Sequence, residues 1–134
     1  VTVFVDTNVL LDIAADDRLW GDWSTAALET AIAAGPVLIN DVVYAELAAR
    51  YARVEDVDAF VARAGLQWAT MPKVALFLAA KAYASCRRAG GLRTGVLSDF
   101  FIGAHAATLA IPLLTRDKGR FRTYFPSLEV IAPE

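Results

Sequence analysis

The stretch Val1–Asp12, VTVFVDTNVLLD, decides the fold class. Val1–Val5 is a short apolar run, rich in β-branched residues, that stops at Asp6; it reads as a buried strand. Asp6 or Thr7 can then cap a helix through VLLDIAA, which Asp16 and Asp17 break. Working outward, the alternation recurs. A helix is predicted from Ser24 to Ala34, stopped by Gly35-Pro36, then a strand at Val37–Ile39. Asn40 or Asp41 caps a helix carrying VVYAELAARY. Glu55–Ala64 is a further helix ended by Gly65, and Leu66–Thr70 a third strand. Pro72 opens an alanine-rich helix that stops at Gly90-Gly91. Ser98 caps a helix from Asp99 to about Ala110, and Pro112–Thr115 and Leu128–Ile131 are the last strands. Short apolar strands separated by helices specify an α/β fold: three layers, α/β/α, around a central, mainly parallel sheet of four or five strands.

The length of 134 residues suits one domain, taken as 1–134, large enough to bury a core without disulfides or a structural metal. Alanines are numerous, and no apolar run approaches the roughly 20 residues of a membrane span. No basic n-region opens the sequence, so no signal peptide is expected. One cysteine, Cys86, permits no internal disulfide and fits a reducing cytoplasm. The net charge of −2 hides an asymmetry. Residues 1–70 carry four Lys/Arg against eleven Asp/Glu, and residues 71–134 carry nine against four. The basic excess, including Arg87, Arg88, Arg93, Arg116, Lys118, Arg120 and Arg122, marks either an anionic partner or a solvated surface.

Ligands of such a sheet collect outside the carboxyl ends of its strands; three acids fall at that edge, and a fourth reaches it if its helix starts there. Asp6 follows the first strand and Asp117 the Pro112–Thr115 strand. Glu46 lies on the helix after the second strand, and Asp99 begins the helix feeding the Pro112–Thr115 strand. Each has a plain structural alternative: Asp6 as a helix cap, Asp99 as a favourable charge on a helix dipole, Asp117 as a turn residue, Glu46 as an exposed glutamate. Together they are more demanding. Two like charges about 4 Å apart at an effective dielectric of about 20 repel by roughly 4 kcal/mol, so such a cluster protonates, splays or binds a cation. Oxygen-only donors suit Mg2+ or Mn2+, and zinc is disfavoured because Cys86 and His105 lack metal-binding spacing. An ion there suits phosphodiester hydrolysis by metal-activated water, leaving a 5′-phosphate and a 3′-hydroxyl.

These segments resemble the PIN-domain family, in particular the VapC-type toxins of bacterial toxin–antitoxin pairs. VFVDTNVLLD resembles the family's opening strand and Asp-Thr-Asn turn, and VVYAEL its glutamate-bearing helix. LSDFFIGAHA resembles its third acidic motif, and LLTRDKGRF its closing Thr-Arg-Asp motif. The likeness runs from Val3 to about Val130 in the family's order. It implies Asp6 and Asp99 as the main magnesium ligands, with Glu46 completing the site. Asp117 would bind directly, bind through water, or orient its neighbours. Asn8 and Thr115 fall at positions that hydrogen-bond the acids or the scissile phosphate. The resemblance further implies a PIN-like endoribonuclease acting on RNA, a homodimer, and a cognate antitoxin.

Arg116, Lys118, Arg120 and Arg122 are the candidates for phosphate contacts, which would make RNA affinity steeply salt-dependent. Trp20 and Trp23 are read as flanking a loop and, with Trp68, as packing or partner-groove residues. His105 reads as a helix histidine rather than a ligand. The positive mean hydropathy leaves apolar surface for a dimer and a partner peptide. Two rivals remain: a PIN-like module that binds a partner without catalysis, and a phosphatase forming an aspartyl phosphate on Asp6. The second usually wants an acid two positions on, where this sequence has Asn8.

Overall fold

A computed structural model describes residues 1–90 and 97–134. Gly91 and Arg93, named above, lie outside the described residues. Five strands among these residues form one sheet: β1 (Val3–Val5), β2 (Val37–Ile39), β3 (Leu66–Trp68), β4 (Leu113–Leu114) and β5 (Val130–Ile131). The order is β3-β2-β1-β4-β5 and every pairing is parallel. Among the described residues, seven helices flank it: α1 (Thr7–Ala14), α2 (Gly21–Ala34), α3 (Asp41–Ala48), α4 (Val54–Arg63), α5 (Lys73–Arg88), α6 (Leu97–Leu109) and α7 (Lys118–Arg122). The predicted α/β/α architecture is the observed one.

Burial explains why such short strands hold. Phe4, Val5, Val37, Ile39, Leu113 and Leu114 are shut off from solvent, and Leu10, Leu47 and Ile102 close on them from the helices. Each large side chain so buried contributes about 1.5–3 kcal/mol. Phe4 faces both Leu38 and Leu113, so β1 is the central strand. From it the chain builds outward to β2 and β3 on one side and to β4 and β5 on the other. The gap between β1 and β4 is therefore the topological switch point, where ligands of open α/β sheets bind.

The local differences from the sequence reading have local causes. α2 begins at Gly21, so Trp23 lies in a helix rather than beside a loop. Asp17 Oδ2 accepts from the backbone N–H groups of Leu19 and Trp20, which fixes the turn leading into α2. Ser98 lies inside the first turn of α6, not before it. The helix α7 was not expected. KGRFR has no apolar period, and only the buried Phe121 anchors the segment to the core. Gly103 on α6 makes that packing possible, because a Cβ there would stand 2.6 Å from the Phe125 ring.

Candidate active site

Asp6 occupies the N-cap position of α1, yet its carboxylate makes no capping bond. The capping alternative therefore fails. The carboxylate accepts instead from Thr115 Oγ1 at 2.7 Å, across the β1–β4 gap. The parallel ladder brings the two together, since Val5 pairs with Leu114 and Asp6 N–H donates to the Leu114 carbonyl. Asp6 is only 3% exposed. Burial pushes its carboxyl up to about 6, against the pull of the Thr115 bond, and the nearby Asp99 charge adds to the rise. An acid so placed is costly to ionise without a cation.

Thr115 organises the gap. Its hydroxyl donates to Asp6 and accepts from Asn8 Nδ2 at 3.3 Å and from Asp117 N–H at 3.1 Å. Asn8 Oδ1 in turn accepts from the Arg116 N–H. Asn8 and Thr115 thus tie α1 to the β4–α7 turn and aim the Asp6 side chain. Sequence reasoning placed both at the site, and the hydrogen bonds give each a task.

The other three acids arrive from separate elements. Glu46, on α3, accepts from Thr7 Oγ1 at 2.6 Å, which links it to the residue after Asp6. Asp99 sits in the first turn of α6 with 14% of its side chain exposed. Its carboxyl is raised chiefly by burial, lowered by Arg120, and raised again by the charges of Glu46 and Asp117. Asp117 precedes α7 and is half-exposed. The four acids therefore share one electrostatic neighbourhood. Among the described residues, no three of them converge closely enough to form a ready metal site. Arg120 intervenes: its guanidinium lies 3.4 Å from Asp99 Oδ1 and 2.9 Å from Asp117 Oδ2.

The remaining candidates separate. Lys118 and Arg122 are exposed. Arg116 is already engaged, donating twice to Asp12 at 2.8 and 3.0 Å and lying over the Trp20 ring at 5.6 Å. Asp12 was not singled out from the sequence. It is 4% exposed and also accepts from Ser24 at 2.8 Å, so it clamps α1, α2 and the β4–α7 turn together. A lone charge in the apolar run VLLDIAA was the available signal. His105 is wholly buried, and its Nδ1 lies 3.1 Å from Asn40 Nδ2. Asn40 Oδ1 accepts from Val43 N–H as the cap of α3, so Nδ2 must donate and Nδ1 must accept. His105 is a packed histidine bracing the base of the Glu46 helix. Trp68 is exposed, stacks on Tyr44 and donates to Asp41.

The donor chemistry is oxygen only, with a buried carboxylate that carries no full counter-charge. Oxygen donors of this kind are ones a divalent cation can take.

The PIN domain family model matches residues 3–125. The chain belongs to the PIN domain family. A comparison with curated protein sequences gives no match. Solved structures share the PIN fold over 98% of this chain. VapBC2 from Rickettsia felis, bound to a promoter DNA fragment, matches at TM-score 0.74 and 16% identity, over 98% of its own chain. VapBC-1 from nontypeable Haemophilus influenzae matches at TM-score 0.71 and 15% identity over 98% of its chain. VapBC-5 from Mycobacterium tuberculosis gives TM-score 0.61 and 22% identity, again over 98%. Among the described residues of this PIN domain, no helix is long and apolar enough to cross a membrane.

Proposed function

We propose that this PIN domain is a Mg2+- or Mn2+-dependent endoribonuclease and the toxin of a toxin–antitoxin pair. The observation that carries the reading is the buried Asp6 carboxylate, aimed by Thr115 at the switch point of the sheet and sensing the charge of Asp99. Asp6 and Asp99 would hold the cation, with Glu46 and Asp117 completing or orienting the shell. When bound, the ion would supply charge for the scissile phosphate and acidify an attacking water. Thr115 fixes the Asp6 carboxylate, and Asn8 fixes Thr115. Thr7 occupies Glu46 Oε1 and leaves Oε2 to orient water and accept its proton. The exposed Lys118 and Arg122 stand ready for RNA phosphates on the flank of the site.

The similarity to VapBC complexes supports an antitoxin partner, as does an apolar cavity of about 580 Å³ between α1, α2 and α4. Ile13, Leu28, Ile32 and Phe60 line it, with Glu29 and Arg63 beside them, a surface suited to an amphipathic helix. The exposed Val74 and Phe77 on α5 suit a homodimer, and the single cysteine, Cys86, suits a reducing cytoplasm. The test is incubation of purified protein and RNA with Mg2+, beside an Asp6→Asn variant and a chelator control. Cleavage lost in both controls, with 5′-phosphate and 3′-hydroxyl ends, supports the nuclease. Undiminished cleavage in excess EDTA, or 2′,3′-cyclic phosphate ends, removes it.

One observation favours a second reading, a partner-binding module without catalysis: Arg120 already satisfies two of the acids. Inactivity on RNA together with tight peptide binding would select it. The phosphatase alternative gains nothing, since Asn8 is committed to Thr115 and Arg116.

A further inference from the structure

The Arg120 guanidinium is the one cation that touches acids from two elements of the site, Asp99 on α6 and Asp117 at the head of α7, among the described residues. Its placement is built in. Phe121, the next residue, is 1% exposed, and the absence of a Cβ at Gly103 lets Phe121 and Phe125 sit against α6. α7 is therefore held against the helix that carries Asp99, and Arg120, within α7, reaches the acids. Arg120 also acts on Asp6, whose carboxyl it draws downward. Its contacts are unequal. The ion pair with Asp117 is 2.9 Å, whereas that with Asp99, which is also a hydrogen bond, is 3.4 Å, and the Arg120 side chain is 37% exposed. Such a half-solvated pair is weak enough to exchange.

We infer that Arg120 is an internal counter-ion of this acid cluster, so that a divalent cation and the guanidinium exclude one another at Asp99 and Asp117. The inference rests on the proposed metal site. The physical reason is charge. The cluster gathers four carboxylates, and one guanidinium neutralises a quarter of that formal charge. A divalent ion taking the same oxygens would meet a positive group a few ångströms away, and at an effective dielectric of roughly 20–40 that repulsion shifts affinity at least about tenfold. Arg120 must leave the acids as the ion enters. It thereby lowers metal affinity in the resting protein and becomes free to meet an anionic oxygen once the ion is seated.

The test is Mn2+ titration in the absence of RNA, followed by the paramagnetic resonance signal of the free ion. It is run on wild type, Arg120→Gln and Arg120→Lys. Arg120→Gln should bind Mn2+ at least about tenfold more tightly, and Arg120→Lys, which keeps the charge, should stay within a few-fold of wild type. On the wild-type chain, Mg2+ should shift the Arg120 Nε–H resonance and speed its exchange with water, a readout that does not depend on any variant folding. Equal or weaker Mn2+ binding by Arg120→Gln, with an Arg120 resonance indifferent to Mg2+, overturns the inference and leaves the metal site standing. No Mn2+ binding by wild type or either variant overturns the metal site itself, and the inference with it.

Discussion

Replacing Asp6 by asparagine should make the protein more stable while abolishing its proposed activity. Asp6 is 3% exposed and its carboxyl is raised from 3.8 to about 6 by burial. At neutral pH the folded protein therefore holds a charged group that it would rather protonate. The difference between the two values corresponds to about 3 kcal/mol of destabilisation. Its direction follows from proton uptake. Between pH 3.8 and about 6 the folded state binds more protons at Asp6 than the unfolded state, so the penalty is fully present above pH 6. It is relieved progressively as pH falls toward 4. Asparagine keeps an oxygen that accepts from Thr115 but must itself be desolvated, which offsets part of the gain. The expected increase is about 1–3 kcal/mol at pH 7.5 in EDTA, read from urea denaturation. The advantage of the variant should shrink below pH 6. Added Mg2+ should raise wild-type stability, because a ligand that binds only the folded state stabilises it, and should do much less for the variant. A variant less stable than wild type at pH 7.5, or a stability gap unchanged from pH 7.5 to 4.5, would refute the reasoning.

Further tests probe the supports of the site. Arg116→Ala should cost about 1–3 kcal/mol in urea, because it strips the buried Asp12 carboxylate of its counter-charge and leaves it with the Ser24 hydroxyl; loss below about 0.5 kcal/mol would show the clamp to be ornamental. Gly103→Ala should cost about 1–3 kcal/mol through the clash with Phe125, and should also disturb Arg120 by shifting α7; unaltered melting would contradict the close approach. His105 has its imidazole lowered from its ordinary value of 6.5, chiefly by burial, so the folded state favours the neutral ring. Its contribution to stability is complete above pH 6.5 and is lost as pH falls below it, opposite in sign to Asp6. In an Asp6→Asn background, an acid-induced loss of stability near pH 6 that vanishes with His105→Gln would bear this out, and a flat profile would not. Asn40→Ala should cost about 1–2 kcal/mol, seen as earlier exchange of the α3 amides, since it removes the cap and the His105 bond together.

The sequence by itself determined the layered fold and singled out the four acids as candidates. The run VFV, the run VLI and the pair LL are short, apolar and bounded by helix signals, which leaves a parallel sheet covered on both faces as the arrangement that hides them. Asp6, Asp99 and Asp117 were visible as candidates from their places beside the short strands and their helices, and Glu46 as a lone charge within an apolar helix. Boundaries fared less evenly. Asn40 was legible as a cap because its side chain acts locally, on Val43, whereas Asp6 stood at a cap position and did something else. That difference was decided by Thr115, 109 residues away in the chain and brought alongside only by the β1–β4 ladder.

The basic residues after β4 illustrate what tertiary structure alone could decide. Their clustering along the chain suggested one phosphate-binding surface, yet α7 and the clamp divide them. Arg116 turns to Asp12, Arg120 turns to Asp99 and Asp117, and Lys118 and Arg122 stay in solvent. Composition records how many charges a segment carries. The partner of each charge is fixed by side chains from distant segments meeting at a few ångströms, a distance set by packing of the core and invisible to local pattern.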